Sequence, residues 1–120
     1  MRHSVIAIAL LLSAACGSDY GSGPKQVTNT NAAYDIFMQP ATFSPAFGLI
    51  IAPNDTIVWH FSAGSDGNGH NVRFTTIISG VPADLPVQKT GTARSVFKTK
   101  GEFRYSCDVH PGMDGGLTVQ

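Results

Sequence analysis

The chain has 120 residues, of which 42% are hydrophobic and 13% charged, with eight Lys plus Arg against eight Asp plus Glu. That is length for one domain with a real core, and so low a share of charge excludes a disordered polyelectrolyte. Zero net charge with scattered basic residues excludes a nucleic-acid partner, which would demand a clustered basic face.

Met1-Arg2-His3 gives a short positive start, and Val5 to Leu12 is an unbroken apolar run. Ser13-Ala14-Ala15 supplies small residues before Cys16. This is the layout of a secretory signal, too short to span a bilayer as a helix. Residues 1–16 are therefore expected to be a signal peptide. Leu12-Ser13-Ala14-Ala15-Cys16-Gly17 also resembles a bacterial lipobox, with Ser13 where a branched aliphatic is usual. That resemblance implies lipidation at Cys16 and anchoring by acyl chains. A Cys16–Cys107 disulfide is disfavoured, because Cys16 sits at the cleavage point. Residues 17–31 are Gly-, Ser- and Asn-rich, with almost no apolar residues, and read as a flexible tether. Fifteen such residues reach roughly 20 Å.

Residues 32–120 are expected to form the folded domain. No apolar stripe at helical spacing occurs there. Short strand-like runs recur instead, broken by turn residues about every eight to twelve positions, which predicts an all-β antiparallel sandwich or barrel. The predicted strands are Tyr34 to Met38, a bent segment from Phe43 to Ala52, Thr56 to Phe61, His70 to Ile78, Ala93 to Phe97, Glu102 to Cys107 and Leu117 to Val119. Pro53-Asn54-Asp55 is a turn in which Asn54 takes a left-handed conformation. Ile57, Trp59 and Phe61 alternate with Val58 and His60 and are assigned to the core, which leaves His60 solvated. Met38 is assigned to packing. Pro82 to Thr92 reads as irregular. Phe103, Tyr105 and Cys107 face inward, and Arg104 and Ser106 outward.

That last alternation places a thiol at the inner end of a strand. The loop that follows, Cys107-Asp108-Val109-His110-Pro111-Gly112-Met113, sets a thiol, an imidazole and a thioether at a constant spacing of three. Together these soft and borderline donors suit copper better than other common metals. His70, which opens a strand after a glycine-rich loop, offers a second imidazole. The residues alone leave zinc open, since Cys and two His would fill three of its positions, although Met is a poor zinc ligand. They also leave open a plain buried cysteine and a core methionine. No catalytic arrangement competes: Glu102 has no carboxylate partner, and Asp108 and Asp114 lie on the rim.

His70-Asn71-Val72 and the Cys107–Met113 loop resemble the small bacterial cupredoxins, the plastocyanin and amicyanin family, and the loop spacing is that of amicyanin. The stretch from Phe43-Ser44-Pro45 through Trp59, and the run from Gly101 to Cys107, carry the likeness further. The resemblance implies a cupredoxin-like Greek-key sandwich of about seven to eight strands. It implies one type 1 copper ion held by His70, Cys107 and His110 in a trigonal plane, with Met113 as weak axial ligand. Asn71 would brace the ligand loop, and His110 would present its ring edge to transient redox partners. The implied function is single-electron transfer by a monomeric, non-enzymatic carrier. As a lipoprotein it would be exported to the periplasm or cell surface. The alternative is copper binding for transport, delivery or sensing without electron shuttling.

Overall fold

A computed structural model describes residues 31–120. The expected signal peptide, its Cys16 and all but the last residue of the expected tether lie outside the described residues. Nine strands follow in order: β1 (Ala33–Gln39), β2 (Thr42–Ser44), β3 (Leu49–Ile51), β4 (Asp55–His60), β5 (His70–Phe74), β6 (Leu85–Gln88), β7 (Thr92–Phe97), β8 (Gly101–Ser106) and β9 (Asp114–Val119). They form two sheets, ordered β2-β1-β4-β7 and β3-β9-β8-β5-β6. No helix occurs among the described residues.

The all-β expectation holds, but the sheets are mixed. β1 runs parallel to β4, and β3 parallel to β9, while the other pairs are antiparallel. Alternation of apolar residues fixes which face a strand buries, not the direction of its neighbour, so a wholly antiparallel sandwich misses two parallel pairings. The count also exceeds seven to eight. The extra strand, β6, lies inside the stretch read as irregular. Pro86 hides it in the sequence, and a sheet edge is where proline is tolerated, since no partner needs its missing N–H.

β5 stops at Phe74, four residues short of the prediction. The Thr75 amide still reaches the Arg104 carbonyl at 2.9 Å. The Arg104 amide then donates to the Thr76 hydroxyl at 2.7 Å, and a side-chain acceptor in place of a carbonyl ends the ladder. Ile77 beyond it is 99% exposed.

The core is aromatic. Trp59 from β4 and Tyr105 from β8 meet edge to face at 5.0 Å, and Phe43 packs on the same tyrosine at 4.9 Å. Phe97 and Phe103 form a second such pair at 5.0 Å. Edge-to-face contacts of this kind add about 0.5–1.5 kcal/mol each beyond area burial. The buried Trp59 indole donates to Ser95 Oγ at 2.9 Å. Ile57, Trp59 and Phe61 are all buried, as their alternation predicts, and Met38 packs in the same core. Asn54 takes φ 73°, the left-handed turn expected of it. The turn is held by Asp55, whose buried carboxylate accepts from the amides of Ala32 at 2.7 Å and Ala52 at 2.8 Å.

Candidate metal centre

β8 and β9 pair from Gly101↔Val119 to Ser106↔Asp114, so residues 107–113 are the loop that closes this hairpin. The Cys107 amide donates to the Met113 carbonyl at 2.9 Å, and the Met113 amide to the His110 carbonyl at 3.1 Å. The loop is thus cinched at its base. Phe103, Tyr105 and Cys107 are buried in turn, as period-two alternation requires. Met113 is buried beside them in the core.

β5 supplies the other side. Its register against β8 pairs Arg73 with Ser106 and Phe74 with Tyr105. Carried on, that register sets Val72 opposite Cys107, Asn71 opposite Asp108, and His70 over the loop. The alternation of β5 turns His70, Val72 and Phe74 inward, and His70 is fully buried.

Three donor atoms converge as a result. Cys107 Sγ lies 3.9 Å from His70 Nδ1 and 3.7 Å from His110 Nδ1. The ligand atoms of the three residues all lie within 4.8 Å of one another. An ion bound at about 2.3 Å from sulfur and about 2.0 Å from nitrogen in a trigonal plane sets S and N about 3.7 Å apart. The donor spacing fits a shared metal.

The electrostatics favour the same use. Burial pushes the Cys107 thiol up, but hydrogen bonds from the Asn71 backbone, the His110 ring and the backbone of His110 and Val109 outweigh it, so the net shift is down, toward thiolate. Burial, followed by the nearby charge of His110, pushes His70 down and keeps its imidazole neutral. His110 moves up, chiefly through its hydrogen bond to Cys107.

Asn71 clamps the loop. The Asp108 amide donates to Asn71 Oδ1 at 2.7 Å, and Asn71 Nδ2 donates to Asp108 Oδ2 at 2.9 Å. Arg73 Nε reaches the other Asp108 oxygen at 2.6 Å. These bonds, led by that from the Asn71 side chain, hold the Asp108 carboxyl below its usual range. His60 stands apart from the centre, on Asp35 at 2.7 Å and stacked on Phe37.

No family model matches the chain, and no curated protein matches it. Solved structures do. A copper-containing nitrite reductase from Thermus scotoductus SA-01 superposes with a TM-score of 0.62 at 22% identity over 73% of this chain. This chain spans only 22% of that enzyme's length. An amicyanin variant in its Cu(I) form matches with a TM-score of 0.60 at 26% identity, over 74% of this chain and 83% of that one. A pseudoazurin from Sinorhizobium gives 0.55 at 21% identity, covering 74% of each chain. The chain has the cupredoxin fold.

Within this cupredoxin fold, the sequence located His70, Cys107, His110, Met113 and Asn71, and the structure brings the first three together around one point. Asp66 was missed. Its carboxylate lies 3.2 Å from His110 Nε2, on the far side of the ring from Cys107, although the two residues are 44 positions apart. Its local signal was the Asp66-Gly67-Asn68 turn, which does not by itself name a partner. Asp108 was read as a rim residue, yet it is the point that Asn71 and Arg73 hold.

Proposed function

We propose that this chain is a mononuclear type 1 copper protein that carries single electrons between redox partners. The observation that carries this reading is the convergence of Cys107 Sγ on the Nδ1 atoms of His70 and His110 at the closed end of a cupredoxin sandwich. Cys107 would bind as thiolate, His70 and His110 as neutral imidazoles, and Met113 as a weak fourth, thioether donor. When bound, copper supplies a one-electron couple between Cu(I) and Cu(II).

The chain's own part is rigidity. His70 opens a paired strand, Cys107 follows directly on the end of another, and Asn71 ties the loop to β5. Donors held in this way serve both charge states with little movement. Four protein donors leave no open position for a substrate, unlike a catalytic zinc site, which favours a carrier over an enzyme. The carrier is monomeric and docks its redox partners transiently near His110. It is exported, and Cys16 anchors it to a membrane by acyl chains.

Titrating the purified domain with Cu(II) tests the reading. An intense blue colour that ascorbate bleaches reversibly is expected, and Cys107→Ser abolishes it. A colourless protein that surrenders copper to a competing chelator would point to copper delivery or sensing instead. The anchor has its own test: Cys16→Ala moves the protein from the membrane fraction to the soluble fraction.

A further inference from the structure

Asp66 occupies the outer edge of His110. The Nε2 atom lies 3.3 Å from one carboxylate oxygen and 3.2 Å from the other. On the opposite side of the ring, Nδ1 faces Cys107 Sγ at 3.7 Å. An ionised carboxylate only accepts, so Nε2 keeps its hydrogen, and when the ring is neutral the Nδ1 lone pair lies on the sulfur side.

The carboxylate is itself held. The Asn68 amide donates to Asp66 Oδ1 at 3.0 Å, and Asn68 Nδ2 to Oδ2 at 2.8 Å. These two bonds, with the contribution of His110 after them, lower Asp66 to about 2. Backbone bonds from Gly64 to the Asn68 carbonyl, at 2.7 Å, and from Gly67 to the Gly64 carbonyl, at 2.9 Å, close the turn. A Cβ at Gly64 would stand 2.7 Å from Asp66 Oδ1 and 2.8 Å from His110 Nε2. The turn therefore seats directly on the ring, with no room for a side chain between them. The His110 side chain is only 13% exposed in consequence.

We propose that Asp66 is a positioning residue for the metal centre. It fixes the tautomer and orientation of His110 and sets a negative charge on the outer edge of that ring. The proposal rests on the copper-site reading above. A carboxylate on the free nitrogen of a ligating histidine orients the ring and raises its basicity. Its charge also favours the more positive, oxidised form of the metal, so it lowers the reduction potential.

Three variants separate the charge from the turn. Asp66→Asn keeps an acceptor oxygen and removes the charge. Asp66→Ala removes both. Asn68→Ala loosens the turn and leaves the carboxylate. The readouts are the midpoint potential and Cu(II) affinity of the loaded domain, and the 15N NMR shifts of the His110 ring in the metal-free domain. The potential is expected to rise in both Asp66 variants, and Cu(II) affinity to fall about tenfold or more in Asp66→Ala. The neutral metal-free wild-type ring should carry its hydrogen on Nε2, and Asp66→Ala should give a mixture of tautomers. Asn68→Ala should stay near wild type in potential. Unchanged potentials with an unchanged tautomer would overturn the proposal, as would an Asn68→Ala variant that reproduces Asp66→Ala in full. A wild type that takes up no copper would sink the copper reading instead, while the metal-free NMR result would still decide whether Asp66 sets the ring.

Discussion

Asn71 and Asp108 are joined by two hydrogen bonds that run in opposite directions, backbone amide to side-chain oxygen at 2.7 Å and side-chain amide to carboxylate at 2.9 Å. Asn71 lies on β5 and Asp108 in the loop that follows β8, 37 positions apart in sequence. The pair ties the loop that carries Cys107, His110 and Met113 to the strand that carries His70. Asn71→Ala leaves the Asp108 amide without its acceptor and leaves Arg73 as the β5 side chain that still reaches Asp108. Copper affinity should fall about 10- to 100-fold, the range usual for groups that brace metal ligands. Competition with a chelator of known affinity measures it. An affinity equal to wild type would show that Arg73 and the β8–β9 hairpin hold the loop without Asn71.

The opposite pattern is expected at Ser95. Its hydroxyl accepts from the Trp59 indole at 2.9 Å, in the core and away from the donors. Ser95→Ala leaves a buried N–H unpaired, which costs about 1–3 kcal/mol. Urea denaturation of the metal-free protein should show that loss. The copper-loaded spectrum should be unchanged, because no donor touches this pair.

The difference between these two sites explains what the sequence made legible. Period-two alternation and the spacing of three in the Cys107–Met113 loop are local, and they placed the core faces, the loop and the candidate donors it carries. His70 could be found because it opens a strand with an apolar face. The partners could not be found. Asp66 meets His110 across 44 positions, and Asn71 meets Asp108 only because β5 and β8 pair in one register. The parallel pairing of β1 with β4 was hidden for the same reason. A strand's own residues state which face is buried and say nothing of which neighbour lies beside it. Pro86 hid β6 because its tolerance depends on the strand lying at an edge, which is a property of the finished sheet.

Metal removal should leave the fold standing. The rings of Trp59, Tyr105 and Phe43, and those of Phe97 and Phe103, pack edge to face on one another without a metal between them. The metal-free domain is therefore expected to unfold cooperatively at a lower midpoint than the loaded one. Binding to the native state alone stabilises by mass action, about 4.1 kcal/mol at 1,000 times Kd. Thermal melts across a copper titration should show a midpoint that climbs with free metal and returns on adding chelator. Cys107→Ser should flatten that dependence. A metal-free chain without a cooperative transition would show that the donors are needed for folding itself.

Met113 separates packing from ligation. It is 1% exposed and belongs to the core cluster, while its loop spacing points to a weak fourth donor. Met113→Leu keeps the volume and apolar character, so the metal-free stability should change by less than about 1.5 kcal/mol. Cys107 and both histidines remain, so the blue colour should persist. The thioether donates electron density that favours the oxidised metal, and its loss should raise the reduction potential. Protein-film voltammetry of wild type and variant measures the shift directly. A potential unchanged within error, with unchanged stability, would make Met113 a packing residue and reduce the centre to three donors.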